Sequence, residues 1–524
     1  MGTAAGRWVL LATVLGSGVA FLDGTIVNVA LPRIGRELPA TLVGVLEGQT
    51  YVISGYLAVL AALLILAGAL SDRYGRRRVY AIGLAGFAIT SGLCGLAPTL
   101  EILVVARLLQ GAAGALMVPG ALSIITQTFP ESERGRAFGL WTSATSALSI
   151  AGPLVGGLLV DTIGWRIAFL VNVPILSVAV AITLRHVAES RDTDPDRRFD
   201  WFGSIVAALA VGGLSFGVIR GGEQEWADPV AWASIAVGAV ALIAFPFLMA
   251  RRRDPLVPLE LFRSRIFSTI NLATFFVYGG LYVMFSYVSI ALQGALGYTA
   301  LASGVSVLPI GICIIALSPR IGTLAGKNGA RRFLTLGPAL MAGGLLWFTR
   351  LPPTSPAWRA TPAEPASLVP PAAYLIDVLP AVLLFGLGIA CVVAPLTNTL
   401  MGSIPERFSG LGSAINNAIA RVGQPLLGAL IFVAVSGTFY AMLTTLAPEL
   451  DLDSPAVRAA FPPLNPPRAD ATPAQIAAAA RASIDAFRQA MGVAAILVGI
   501  GGAVSWFGLR PAGAERPATS LATD

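Results

Sequence analysis

The chain is poor in charge. Only 12% of its 524 residues are Asp, Glu, Lys or Arg, against about 25% in an ordinary soluble domain. With 56% hydrophobic residues, it carries more apolar surface than a soluble core of this size can hide. Lys327 is the only lysine and His186 the only histidine. Cys94, Cys313 and Cys391 lie far apart in apolar runs, with no CxxC. That spacing excludes a disulfide framework and a cysteine metal site, so neither metal nor cofactor is expected. His186, beside Arg185 and Glu189, reads as a solvated loop residue. The formal net charge is +7, but the basic residues are scattered through short links. They form no face or stripe, which argues against nucleic acid. No GxxxxGK[ST] or HExxH occurs, so ATP drive within this chain and zincin-type hydrolysis are excluded and an enzyme is not expected.

What the chain has instead is long apolar runs. A bilayer core needs about 20 apolar helical residues. Scanning predicts about fourteen transmembrane helices in an all-α integral membrane protein. The first six are 8–31, 48–70, 79–98, 101–128, 136–160 and 165–185. Two follow at 201–220 and 229–250, then six at 267–292, 301–325, 332–349, 373–396, 411–437 and 487–508. The first run continues to Ala30 without a cleavage site, so it reads as a spanning helix and not a signal peptide. Arginines concentrate in the links 71–78, 185–198, 251–265 and 320–332. By the positive-inside rule these links and both termini are expected in the cytoplasm. Heavy use of Ala, Gly and Arg suggests a GC-rich bacterial genome, and hence a bacterial plasma membrane. The link 350–372 is rich in proline and is expected to be irregular. In the link 445–486, Thr472-Pro473-Ala474-Gln475 reads as a capping box opening a short helix that leads into the last span.

The chain repeats. GALSDRYGRRR at 68–78 returns as GTLAGKNGARR at 322–332. FPESERGRAFG at 129–139 is echoed by IPERFSGLG at 404–412, and GPLVGG at 152–157 by QPLLGA at 424–429. The echoes keep their order, so two pseudo-symmetric six-helix bundles are expected to frame a central helix pair. The expected units are 1–190, 191–265, 266–510 and a cytoplasmic tail at 511–524.

At these residues the chain resembles the major facilitator superfamily, in its fourteen-span drug:proton antiporter branch. GALSDRYGRRR is similar to the family's loop between helices 2 and 3. FLDGTIVNVALPRI at 21–34 is similar to that branch's first-helix signature, and RLLQGAAGALMVPG at 107–120 to its helix 4 motif. WRIAFLVNVP at 165–174 resembles the start of helix 6. GPLVGG fits the helix 5 antiporter motif, with Gly139, Gly152, Pro153, Gly156 and Gly157 as its candidate residues; Leu148 stands where the family usually has a glycine. The resemblance implies the two-bundle fold, small-molecule substrates, protons as partners and alternating access. It also implies a conformational latch at Gly68, Asp72, Arg73, Gly75 and Arg76, and places helices 1 and 4 side by side. Gly326 stands where the second repeat would hold the acid, so an asymmetric latch is expected.

A charge inside a membrane costs at least about 2.5–3.5 kcal/mol, so charges within spans are functional candidates. The deep ones are Asp23, Arg107 and Arg421. Asp23 and Arg107 fall at similar depth and can pair if their helices touch. An opposite charge favours the ionised carboxylate, and burial without one favours the neutral acid. A carboxylate whose partner moves can therefore take and release a proton; the plain alternative is a static pair that fixes packing. Asn417 and Arg421 share a helix face at i, i+4. With Asn172, Asn271, Tyr278, Tyr287 and Asn398 they are the candidate walls of a substrate cavity; packing is the plain alternative for each. The expectation is a monomeric, proton-coupled exporter of small amphiphilic compounds. Export of a specific metabolite, siderophore or lipid, or a transport-dead sensor, are the alternatives.

Overall fold

The computed structural model describes residues 4–190, 200–224, 226–253, 255–404, 409–468 and 471–509. The link at 191–199, the tail at 511–524 and the Asp72 side chain lie outside the described residues. No strand occurs among them beyond an isolated bridge between Thr361 and Glu364. In lipid only a helix satisfies its own backbone, so apolar runs of this length become helices.

The first bundle holds α1 (Ala4–Glu37), α2 (Val45–Tyr74), α3 (Arg76–Gly95), α4 (Leu100–Thr128), α5 (Glu131–Thr162) and α6 (Asn172–His186). The central pair is α7 (Trp201–Glu223) and α8 (Pro229–Arg251). The second bundle holds α9 (Arg265–Gly294), α10 (Leu308–Asn328), α11 (Ala330–Phe348), α12 (Leu379–Met401), α13 (Ser409–Leu446) and α14 (Pro473–Gly508). Short helices Ile167–Leu170 and Ala300–Ser306 lead into α6 and α10. Among the described residues, 13 helical segments are long and apolar enough to cross a membrane. They include every long helix except α11, whose first turn carries Arg331 and Arg332. Yet α11 packs along α12 and α14 and buries Leu334, Met341, Leu345 and Phe348 on one face, so it belongs to the second bundle and completes fourteen long helices among the described residues.

The expected break before the last span is absent. Thr472 caps α14 as the capping box predicts, but the helix runs unbroken from Pro473 to Gly508. The link after α11 holds only a short 3-10 turn at Pro365–Leu368 before a π-helical turn at Tyr374–Val378 leads into α12. His186 is exposed but not solitary; its ring stacks on Trp8 at 5.0 Å.

The repeat is structural. Neighbours α2–α4, α1–α5, α3–α4, α3–α6 and α1–α6 recur as α10–α12, α9–α13, α11–α12, α11–α14 and α9–α14. Gly75 and Gly329 match as well. Each separates two helices at positive φ, 106° and 85°, where a side chain is strained. The link at 68–78 is therefore no loop: α2 runs on to Tyr74, so Asp72 lies in its last turn, and Gly75 alone makes the break. Gly75 packs against the Glu189 carboxylate. Arg76 N donates to Ser190 O at 3.0 Å, and Arg77 N to Glu189 Oε1 at 3.1 Å. The face that carries this link is called here the latch face, and the opposite one the far face.

The bundles meet along α2–α13, α1–α9 and α5 with the Ala300–Ser306 helix. In the far half the seam is hydrogen-bonded. Asp161 at the end of α5 accepts from Ala300 N at 3.2 Å and Leu301 N at 2.7 Å, capping a helix of the other bundle. Ser286 Oγ donates to Asn28 Oδ1 at 2.8 Å, and Gln293 Nε2 to Val29 O at 3.0 Å. Gln49 and Asn465 bond reciprocally at 3.0 and 2.9 Å. Arg468 reaches back to Leu38 O at 2.8 Å and to Gly35 O. Among the described residues no hydrogen bond joins the bundles in the latch half. The far side is closed.

The central pair is tied into the same far end. α7 packs on both α2 and α13, so it touches each bundle. Arg220 pairs with Asp228 at 2.5 Å and lies 3.7 Å from the buried carboxylate of Glu47 on α2. The Val230 N–H and the Arg220 guanidinium hold the Asp228 carboxyl below its usual range.

Candidate functional site

Helix α4 places Arg107 and, one turn on, Gln110 on the face that meets α1. There Arg107 Nη1 lies 2.6 Å from Asp23 Oδ2. The same Nη1 is 2.7 Å from Gln110 Oε1, and Gln110 Nε2 donates to Asp23 Oδ1 at 3.3 Å. Asn172, the first residue of α6, donates from Nδ2 to Asp23 Oδ1 at 3.0 Å and lies 3.0 Å from Ser91 Oγ on α3. Arg107 Nε donates to Val52 O on α2 at 3.1 Å, and its guanidinium lies 4.1 Å from the centre of the Tyr56 ring. Five helices thus converge on one carboxylate, and Asp23, Arg107, Gln110 and Asn172 are fully buried. Arg107 Nη2 and Asn172 Oδ1 find no hydrogen-bond partner among the described residues. Leaving a buried polar atom unpaired costs about 1–3 kcal/mol. The network is therefore not saturated, and a change of partners forfeits less than it would from a fully bonded cluster.

Tyr56 links this cluster to the second bundle, since it lies within electrostatic reach of Asp23, Arg107 and Arg421 together. Arg421, on α13, is buried and donates from Nη1 to Asn417 Oδ1 at 3.3 Å; Tyr278 on α9 lies within electrostatic reach of the same guanidinium. Tyr278, Asn417 and Arg421 thus come together across the seam from Asp23. The other expected cavity residues do not join them. Asn172 is no cavity wall: it is fully buried as a ligand of Asp23. Asn271 is buried and accepts from Asn416 Nδ2 at 3.1 Å. Tyr287 is buried in α9, and Asn398 is exposed near Gly322. A small cavity does lie in the seam beneath the far closure, between Thr25, Asn28, Pro153, Phe285 and Ser289.

The α5 glycines press on two partners. Gly152 faces Thr25 and Gly156 faces Ile26, both on α1. Gly157 faces the other bundle, where a Cβ would lie 2.6 Å from Ala300 O. Pro153 O fills the space beside Gly304. Gly139 and Gly68 meet nothing close. Leu148, in the place of a family glycine, packs onto Gly18 of α1, so the small residue has moved to the facing helix. GLSFG at 213–217 has the spacing of a nucleophile elbow, yet it lies inside α7 with Ser215 buried, and no strand or turn presents it.

Two repeated six-helix bundles meeting at a seam, with a buried acid on one side of it, have the build of a secondary membrane transporter. The chain belongs to the Major Facilitator Superfamily, whose family model matches residues 13–428. It is a multi-pass membrane transporter and not an enzyme. It is 34% identical over 449 residues to the multidrug resistance protein Stp of Mycobacterium tuberculosis (strain CDC 1551 / Oshkosh), covering 84% of this chain and 78% of that one. It is 33% identical over 442 residues to the puromycin resistance protein pur8 of Streptomyces alboniger, covering 83% of each. The tetracenomycin C resistance and export protein of Streptomyces glaucescens is 33% identical over 438 residues, 82% of this chain and 77% of that one. The fold matches the inward-facing, unoccupied crystal structure of a bacterial homologue of the human lysosomal transporter Spinster. That match has TM-score 0.61 and 17% identity, with 97% of this chain and 98% of that one covered.

Proposed function

We propose that the protein exports small amphiphilic compounds from a bacterial cell in exchange for protons, as a monomer in the plasma membrane. The latch face is cytoplasmic, as are both termini. The observation that carries this reading is Asp23, a fully buried carboxylate held by Arg107 next to a seam whose hydrogen bonds, among the described residues, lie in its far half. A substrate enters from the open cytoplasmic side and settles near Tyr278, Asn417 and Arg421. The bundles rock, the far seam parts, and Asp23 takes a proton as its bond to Arg107 loosens. Return to the closed far side remakes the pair and releases the proton inward. The drug-resistance names of the relatives support an amphiphilic cargo. Export of a self-made antibiotic uses the same machinery; a relative named for tetracenomycin C resistance and export favours it as the second reading.

Expression in a host stripped of its own pumps tests the cargo. Minimal inhibitory concentrations of puromycin and other amphiphilic antibiotics should rise and their accumulation should fall, and a protonophore should restore the accumulation. No shift across a broad panel would remove drug export and leave the dedicated-metabolite reading.

The latch is part of the proposal. Asp72 ends α2 on the cytoplasmic side and Gly326 holds the matching place in α10, so only one repeat carries the acid. Asp72 should engage the second bundle when the cytoplasmic side closes, at a helix N-terminus whose dipole favours a carboxylate. Asp72→Asn should then slow transport several-fold while leaving equilibrium substrate binding within about twofold, the size of a lost exposed contact. Equal loss of both would point to misfolding.

A further inference from the structure

Arg107 makes two sets of contacts, and only one of them involves the acid. Through Nη1 it bonds Asp23 on α1 at 2.6 Å and Gln110 on its own helix at 2.7 Å. Through Nε and its face it holds α2. Nε donates to Val52 O at 3.1 Å, and the guanidinium lies 4.1 Å from the centre of the Tyr56 ring. Val52 and Tyr56 are four residues apart, so the carbonyl and the ring share one face of α2. Neither of these α2 contacts needs the carboxylate.

The ring is fixed in place. Tyr56 is buried, and α4 presses on it with two glycines that follow Arg107. A Cβ on Gly111 would lie 2.5 Å from Tyr56 O, and one on Gly114 would lie 3.4 Å from the Tyr56 hydroxyl. The Phe169 ring is 5.8 Å from the guanidinium, near the outer limit of a cation–π contact at about 6 Å. Tyr56 is therefore the principal aromatic face of Arg107. The titratable groups within electrostatic reach of Arg107 are Asp23 on α1, Tyr56 on α2 and Cys94 on α3. Those within reach of Tyr56 are Asp23, Arg107, Arg421 on α13 and Tyr282 on α9. Asp23 is the one carboxylate among them.

A guanidinium paired with a carboxylate has its charge largely matched. Once the carboxylate takes a proton, that match is lost. A buried cation draws most on a ring face when its other partners are gone, because the attraction strengthens with desolvation. The ring thus favours the state with a neutral acid over the state with an ionised one.

We propose that Tyr56 is a positioning residue for proton exchange at Asp23: its ring, with Val52 O, keeps Arg107 on α2 and compensates the guanidinium while the acid holds a proton. The proposal rests on the reading of Asp23 as the coupling acid. Without the ring, Arg107 depends more on the carboxylate, and Asp23 should hold its proton only at lower pH.

Infrared difference spectra of the full chain in lipid nanodiscs, recorded as the pH is lowered, test this without a substrate. The protonated-carboxyl band that is missing in folded Asp23→Asn reports Asp23. In Tyr56→Leu the midpoint of that band should fall by about one pH unit, tenfold in proton affinity. Tyr56→Phe keeps the ring and should stay within about 0.3 unit of the wild type. Tyr56→Phe made with phenylalanines carrying successive ring fluorines keeps the shape while draining the ring face, so the midpoint should fall stepwise. This series reads the effect even where Tyr56→Leu does not fold. A midpoint that stays or rises along the fluorinated series would overturn the proposal, whatever Tyr56→Leu does, and would leave Asp23 as the coupling acid. Absence of an Asp23 band at every accessible pH would overturn the coupling reading itself, and this proposal with it.

Discussion

Arg107→Leu is expected to cost about 3–5 kcal/mol of stability, because it strands a buried charge. Asp23 would keep only the neutral donors Gln110 and Asn172, and both of its carboxylate oxygens are out of reach of solvent. The substitution also removes the cation over Tyr56 and frees Val52 O, which loosens the contact of α4 with α2. Thermal melts in detergent would show the loss as a sharply lowered midpoint. The double variant Asp23→Asn, Arg107→Leu should recover much of it, since removing both charges leaves no stranded ion. If the single and double variants melt alike, the pair contributes little beyond the shape of its side chains.

How far the site could be read from the sequence follows from what membranes make conspicuous. Asp23 and Arg107 stood out because a charge within an apolar run is costly; the adjacency of their helices came from the family resemblance. Gln110 and Tyr56 did not stand out, because a polar or aromatic residue in a span is ordinary. Gln110 was nonetheless visible as the i+3 neighbour of Arg107 on the same helix face. Glu47 is a fully buried acid that the reading missed, because the expected span began one residue after it and α2 in fact begins at Val45. Nothing in the sequence singles out Asp161 at the end of its span; that it caps a helix of the other bundle is a fact of tertiary packing. Asn172 was read as a cavity wall because its place at the start of α6 says nothing about depth; only the structure turns it onto Asp23. The repeat was legible throughout, down to the two glycines that hold positive φ.

The far closure explains why the pair is whole in this state. Asp161, Asn28, Gln49 and Arg468 hold the bundles together in the far half, through which, on the proposed orientation, an outside proton would have to come. Nothing comparable joins them in the latch half among the described residues. On the proposed reading, the Asp23–Arg107 pair persists while the far half is closed, and the acid meets an outside proton only once that half parts.

Asp23→Asn separates coupling from structure more cleanly than any change at Arg107. An amide keeps the shape and one oxygen acceptor for the guanidinium and cannot carry a proton, but it leaves the Arg107 charge unmatched, so a lowered melting midpoint is expected here too and transport is compared only for protein shown to be folded. The decisive measurement is substrate uptake into everted membrane vesicles as the imposed pH gradient is varied. Uptake by the wild type should rise steeply with the gradient. Uptake by Asp23→Asn, at equal expression and with substrate binding retained, should stay at the level of passive leakage at every gradient. The same steep dependence in both proteins would contradict the claim that Asp23 is the coupling acid.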